Sequence, residues 1–166
     1  MNGFDNKYYI FLMVMANLIA IFQLATSVKR ARLARLSFFL LFAGASLKNF
    51  TTSQVIPQFY MSYAEITWSE TYRGFIHGWF SWHVKIFVGL IAFFQLLIAI
   101  SFLLNNKVYK IGCIGAMIFL VAIIPLGIGS GFPATLVMTI ALFILLDKGK
   151  YKLKEMPRKH EVSPSQ

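Results

Sequence analysis

The chain has 166 residues, of which 58% are hydrophobic and only 13% charged, against roughly 25% charged in soluble domains. A chain this short cannot cover several long apolar helices with water-compatible surface, so a soluble globule is excluded and a bilayer is the expected surrounding. Most of the net charge of +10 sits in three clusters, each beside a hydrophobic run; that is a topology signal, and it excludes nucleic acid as the partner. The single cysteine, Cys113, leaves no intrachain disulfide and no paired-thiol redox chemistry.

Residues 8–28 form a first apolar span whose strongly polar positions are Asn17 and Gln23. Its positive charge follows it, in Lys29, Arg30, Arg32 and Arg35. A cleaved signal peptide carries that charge in front, so the span reads as a retained helix with its N-terminus outside. The second span, about 33–49, holds LSFFLLFAGASL between Arg35 and Lys48, two cations placed to snorkel to the interfaces. Gly44, Ala45 and Ser46 make a small-residue patch suited to close helix approach.

Residues 50–82 form an outer loop too aromatic to be a linker, expected to lie on the membrane surface or cap the bundle. Glu70 and Arg73, three apart, are spaced for a helical ion pair. Asn49-Phe50-Thr51 fits the glycosylation triplet, a pattern that chance supplies often.

The third span, about 83–104, is the most complete, with nineteen uncharged residues after Lys85. At 1.5 Å per residue it crosses a hydrocarbon core of ~30 Å. The uncharged stretch 111–146 would reach ~54 Å as one helix, so it must break. Gly127, Gly129, Gly131 and Pro133 mark the break, giving spans at about 111–128 and 132–147. The chain then ends in a basic tail, 151–166. On this arrangement twelve Lys and Arg lie on the cytoplasmic side and four outside, the bias expected of five alternating spans.

Between the helix ends the membrane interior holds no Asp, Glu or His, His83 and Asp147 standing at span limits, which weakens a proton- or ion-coupled transporter. The deepest polar groups are Asn17, Gln23, Gln95, Ser101, Thr135 and Thr139. Gln95 is either interhelical glue or a ligand contact. At the outer mouth, His77, Trp79, Trp82, His83 and Lys85 gather imidazoles, indoles and a cation where a lipid-soluble head would sit. The two histidines are six apart, on opposed helix faces unless the helix breaks between them, and Gly78 and Ser81 permit a break. They read as interfacial residues packed among aromatics, as donors to a quinone carbonyl, or as a haem or metal pair. Cys113 reads as a small apolar packing residue.

Three stretches, RLSFFLLFAGASLKNF (35–50), KIFVGLIAFFQLLIAISFLL (85–104) and GFPATLVMTIALFILL (131–146), resemble the DoxX-like family of small membrane proteins. Arg35, Gly44 and Lys48 stand in the order of the family's opening helix, and Gly131, Phe132 and Pro133 match its last interhelical turn. The resemblance implies a four-helix core, to which residues 8–28 are additional, and a link to quinone-dependent oxidoreduction. Many members carry a Glu in the helix corresponding to 85–104, where this chain has Gln95.

The expectation is therefore an all-α, polytopic membrane helical bundle of five transmembrane helices, a four-helix core plus one N-terminal helix, as a single domain over 1–150. Its partners would be the lipid bilayer and either a membrane-protein partner or further copies of itself. Three functions remain open: a quinone-linked redox subunit, a non-enzymatic accessory or scaffold subunit, and a small transporter.

Overall fold

The computed structural model describes residues 7–104 and 106–154, and every regular element among them is helical. Five long helices, α1 (Lys7–Lys29), α2 (Ala31–Val55), α5 (Ser81–Leu103), α6 (Asn106–Ala122) and α7 (Ala134–Lys154), carry the architecture. Between α2 and α5 the chain runs through a 3₁₀ segment (Pro57–Ser62), α3 (Tyr63–Ile66), α4 (Glu70–Phe75) and a π turn (Ile76–Phe80). A second 3₁₀ segment (Ile124–Ser130) joins α6 to α7. The long helices pack in a closed cycle, α1 on α2, α2 on α5, α5 on α6, α6 on α7 and α7 back on α1.

Three helical stretches are long and apolar enough to cross a membrane: Tyr9–Lys29, Ala31–Val55 and Glu70–Leu103. A fourth is counted if Lys107–Ala122 and Ile124–Ser130 are taken together across their 85° bend. The outward faces suit hydrocarbon, with Phe11, Leu18, Leu40, Ile86, Ile118 and Phe143 exposed. The expected break in 111–146 falls where the glycines put it. Gly127 and Gly131 adopt φ of 62° and 75°, a conformation open to glycine at little cost.

At one end, here called the base, the connections after Lys29 and Leu103 are short and the bundle is solid. Phe38, Phe102, Cys113, Leu142 and Leu145 are buried there among Ala34, Ala99, Ala116 and Ala141. Burying apolar surface against apolar lipid gains little, so small side chains that let backbones approach supply the packing energy. The tightest approach is at Gly112, where an added Cβ would lie 1.6 Å from Ser101 Oγ. The small-residue patch on α2 is used unevenly: Gly44 has no neighbour within 4 Å of such a Cβ, while Ser46 reaches α5, donating to the Ala92 carbonyl at 2.6 Å.

Arg35 does more than snorkel. Its Nε donates to the Phe102 carbonyl at 2.9 Å, a second guanidinium nitrogen bonds the Leu104 carbonyl, and the group lies 4.3 Å from the Tyr109 ring centroid. A cation there satisfies the carbonyls left open at the C-terminus of α5 and complements its dipole.

At the other end the segment predicted as an aromatic loop, 50–82, is almost wholly helical. α2 runs on to Val55, past the expected limit at 49, and the remainder folds over the ring as a cap. The cap is tied to the bend of α6. Tyr72 Oη donates to the Ala122 carbonyl at 2.6 Å, Thr67 Oγ1 to the Pro125 carbonyl at 2.6 Å, and Trp68 N to the same carbonyl at 3.1 Å. The bend frees these carbonyls from helical partners, and the cap supplies the donors that an apolar surrounding cannot. Arg73 pairs with Glu70 as the spacing predicts and also donates to the carbonyls of Ala64 and Thr67. Of the expected basic tail, residues 151–154 belong to α7 and 155–166 lie outside the described residues.

Candidate ligand cavity

The capped end of the ring is hollow. A cavity of about 790 Å³ is lined by residues from all five long helices, among them Ala16, Phe42, Gln95, Phe119 and Thr135, and is roofed by Tyr63, Tyr72 and Phe80 of the cap. Its size falls in the range of about 300–1,000 Å³ usual for small-molecule sites. Its walls carry no Asp, Glu, Lys, Arg or His.

One polar cluster interrupts the apolar lining. Tyr60 Oη donates to Asn49 Oδ1 at 3.1 Å and lies 3.2 Å from the Asn49 carbonyl; Asn49 Nδ2 donates to Gln95 Oε1 at 2.8 Å. Burial holds the Tyr60 phenol above its ordinary pKa of 10.0, against a smaller opposing effect from Thr52, so it stays a neutral donor. The relay ends at Gln95 Nε2, which donates to no described residue although the side chain is only 2% exposed. On α7, Thr135 is also 2% exposed, lines the same cavity, and its Oγ1 has no hydrogen-bond partner. Buried polar atoms are nearly always paired, so the unpaired Thr135 hydroxyl beside this cavity is informative.

The residues expected at the outer mouth are divided by the fold. Gln95 faces the cavity from the middle of α5. Trp82, His83 and Lys85 border a separate outer hollow of about 480 Å³, together with Pro57 and Gln58. Trp82 is 86% exposed, so the hollow it borders is open on that side. The helix does break between the histidines, at the π turn, where Gly78 leaves helical geometry. His83 turns back there: its ring stacks on Trp79 at 4.4 Å between centroids, and Nδ1 lies 2.9 Å from the Trp79 carbonyl. A carbonyl only accepts, so Nδ1 carries the proton. His77 is exposed and makes no side-chain hydrogen bond or ring contact among the described residues. No three His, Cys, Asp or Glu among the described residues stand close enough to hold a metal.

The sequence reading missed Asn49 and Tyr60. Asn49 stood in a glycosylation triplet, yet it lies inside α2 with its amide bound to Gln95, which leaves no free acceptor there. Tyr60 was one of ten Phe, Tyr and Trp residues in the supposed loop. Thr135 and Gln95 were visible as deep polar residues, but nothing in their spacing links one to the other. A second orphan group sits nearer the base: Gln23 and Ser27, one turn apart on α1, are fully buried, and neither amide atom of Gln23 nor the Ser27 hydroxyl has a partner.

Fold and site together define an all-helical protein with three helices of membrane-crossing length and apolarity, four with the bent pair, and an uncharged cavity among its helices. Comparison with protein-family models, with curated proteins and with solved structures finds no match to this chain.

Proposed function

We propose that the chain is a five-span, DoxX-like integral protein of the bacterial plasma membrane that holds a quinone in its interior cavity, as a subunit linked to membrane redox chemistry rather than a stand-alone enzyme. The observation that carries this reading is the 790 Å³ cavity, lined mostly by apolar side chains and uncharged throughout, with the Asn49–Gln95 cluster, Thr135, Thr71, Ser130 and the tyrosines of the cap as its polar members. A quinone needs that combination, a greasy surrounding with a few hydrogen-bond donors for its carbonyls. The outer mouth is the weaker site, because the His83 ring is already stacked on Trp79 and Trp82 is largely exposed.

In this reading the N-terminus lies outside and the C-terminus in the cytoplasm, with the capped end outward. Twelve of the sixteen Lys and Arg then face the cytoplasm. α7 serves as the fifth span: its apolar run, 134–146, is short, and cations after it snorkel, as Lys148 does in bonding the Val28 carbonyl. The uncharged walls speak against a proton- or ion-coupled transporter.

The test is binding of a short-chain benzoquinone to the protein in phospholipid nanodiscs, by equilibrium partition above that of empty discs. Saturable binding at about one per chain is expected. Binding no greater than to empty discs would overturn the reading in favour of a non-enzymatic accessory or scaffold subunit. Reporter fusions after Ile56, Leu104 and Gln166 should report outside, inside and inside; an inside result at Ile56 would invert the topology.

A further inference from the structure

We infer that Gln95 and Thr135 form a head-group subsite that selects an uncharged molecule carrying a carbonyl acceptor on an apolar body. The inference rests on reading the cavity as a ligand site, but it does not require the ligand to be a quinone.

The polarity of the subsite follows from its relay. Gln95 could offer its oxygen or its nitrogen to the cavity, and Asn49 decides which. With Tyr60 donating to Asn49 Oδ1, the Asn49 amide nitrogen is left to donate to Gln95 Oε1 at 2.8 Å. Gln95 Nε2 is thereby the group presented, with two N–H donors and no acceptor character. Thr135 adds a hydroxyl from the α7 side; its own Thr139 neighbour bonds the Thr135 carbonyl and leaves Oγ1 open. Donors on two sides of an apolar space suit an oxygen acceptor.

Charge narrows the class further. No cation or carboxylate stands in the walls to neutralise a charged head. An isolated ion in such surroundings is strongly penalised, so fatty acids, phosphorylated lipids and ammonium heads are disfavoured. A hydrocarbon would enter but would leave both donors without a partner. A neutral carbonyl satisfies them. Two sources share that chemistry, the ring carbonyl of a quinone and the ester carbonyl of a neutral glyceride.

The experiment uses the full chain in nanodiscs with three probes of similar bulk: a decyl-substituted benzoquinone, decylbenzene and a short-chain diacylglycerol. One carbonyl-bearing probe should bind about tenfold or more tighter than decylbenzene, with its infrared carbonyl band moved to lower frequency. Thr135→Val removes the hydroxyl without changing shape or touching the relay, and should weaken that probe severalfold; Thr135→Ser should restore it. Gln95→Leu should weaken it about tenfold and abolish the band shift, while decylbenzene binding holds or improves. Equal affinity for all three probes, or unchanged carbonyl binding in a folded Thr135→Val and a folded Gln95→Leu, overturns the subsite. Diacylglycerol binding without benzoquinone binding sustains the subsite and overturns the quinone function. Binding of no probe overturns both.

Discussion

The same five helices build two unlike halves. At the base they close on alanines, Cys113 and Gly112, with Phe38 stacked on Phe102 at 5.6 Å, and no room is left. At the capped end Phe42, Phe80, Phe87 and Phe119, beside the small Ala16, Ala45 and Ala134, line a space they do not fill. The base is thus the part that holds the fold, and the capped end is the part that spends packing energy on a hollow. Empty volume on this scale is costly in a folded protein, and an occupant that fills it offsets the cost.

The largest effect should come from breaking the base. Gly112→Val puts a branched side chain where even a methyl group would meet Ser101 Oγ at 1.6 Å and Ser101 Cβ at 2.4 Å. Since α5 and α6 have to separate, a loss of about 3 kcal/mol or more is expected, seen as an early midpoint in SDS-induced unfolding followed by circular dichroism. Gly44→Val, with open space around it, should stay within about 0.5 kcal/mol of the parent. Equal losses at both glycines would contradict the packing described here.

The halves should also answer one substitution with opposite signs. Ala99 is fully buried in the base, and Ala99→Leu overpacks it, at a cost of about 2 kcal/mol. Ala45 borders the cavity, and Ala45→Leu has space to grow into, so stability should hold or rise by a few tenths of a kcal/mol. The same change should weaken benzoquinone binding severalfold. A stable Ala45→Leu protein that binds like the parent would place the ligand elsewhere.

These contrasts show how far the sequence could be read. Helix existence, the break in 111–146 and the Glu70–Arg73 pair were legible, because each depends on local residue type: long apolar runs, glycines and an i, i+3 spacing. The solid base was not, since Gly112 looks no different from Gly44 until α5 is laid beside α6. The candidate site was half legible. Gln95 and Thr135 announced themselves as polar residues in apolar helices, but Asn49 stood at the expected end of the second span and Tyr60 was assigned to a loop, because the last turns of α2 are written in polar residues, NFTTSQ. Those turns are helical because α5 packs along them: Gln54 Nε2 reaches the Lys85 carbonyl at 3.4 Å, and Tyr60 returns to the Asn49 carbonyl. Tertiary contacts overrode local preference there.

A smaller effect is expected where the cap meets the bend of α6. Thr67→Val keeps shape and removes the donor to the Pro125 carbonyl, which still accepts from Trp68 N. A loss of about 1 kcal/mol follows, with faster amide exchange over 66–75 than over the base helices. Uniform exchange across both halves would show that the cap does not open as a unit of its own.

The smallest effect should come from the residues that stood out most in the sequence. His83 bonds the Trp79 carbonyl from the outer surface and stacks on the same residue. His83→Ala removes both contacts, but the carbonyl lies in a kink within reach of water and headgroups, which replace the lost donor. A cost of about 0.5 kcal/mol is therefore expected, with a changed tryptophan emission as Trp79 loses its neighbour. His83→Phe should restore the stacking without the hydrogen bond and recover part of that change. His77→Ala, at an exposed position with no side-chain partner among the described residues, should alter neither stability nor emission. Neither histidine lines the interior cavity, so the double variant should bind benzoquinone with the parent's affinity. If instead it folds normally and loses binding tenfold, the ligand sits at the outer mouth and the interior cavity is not its site.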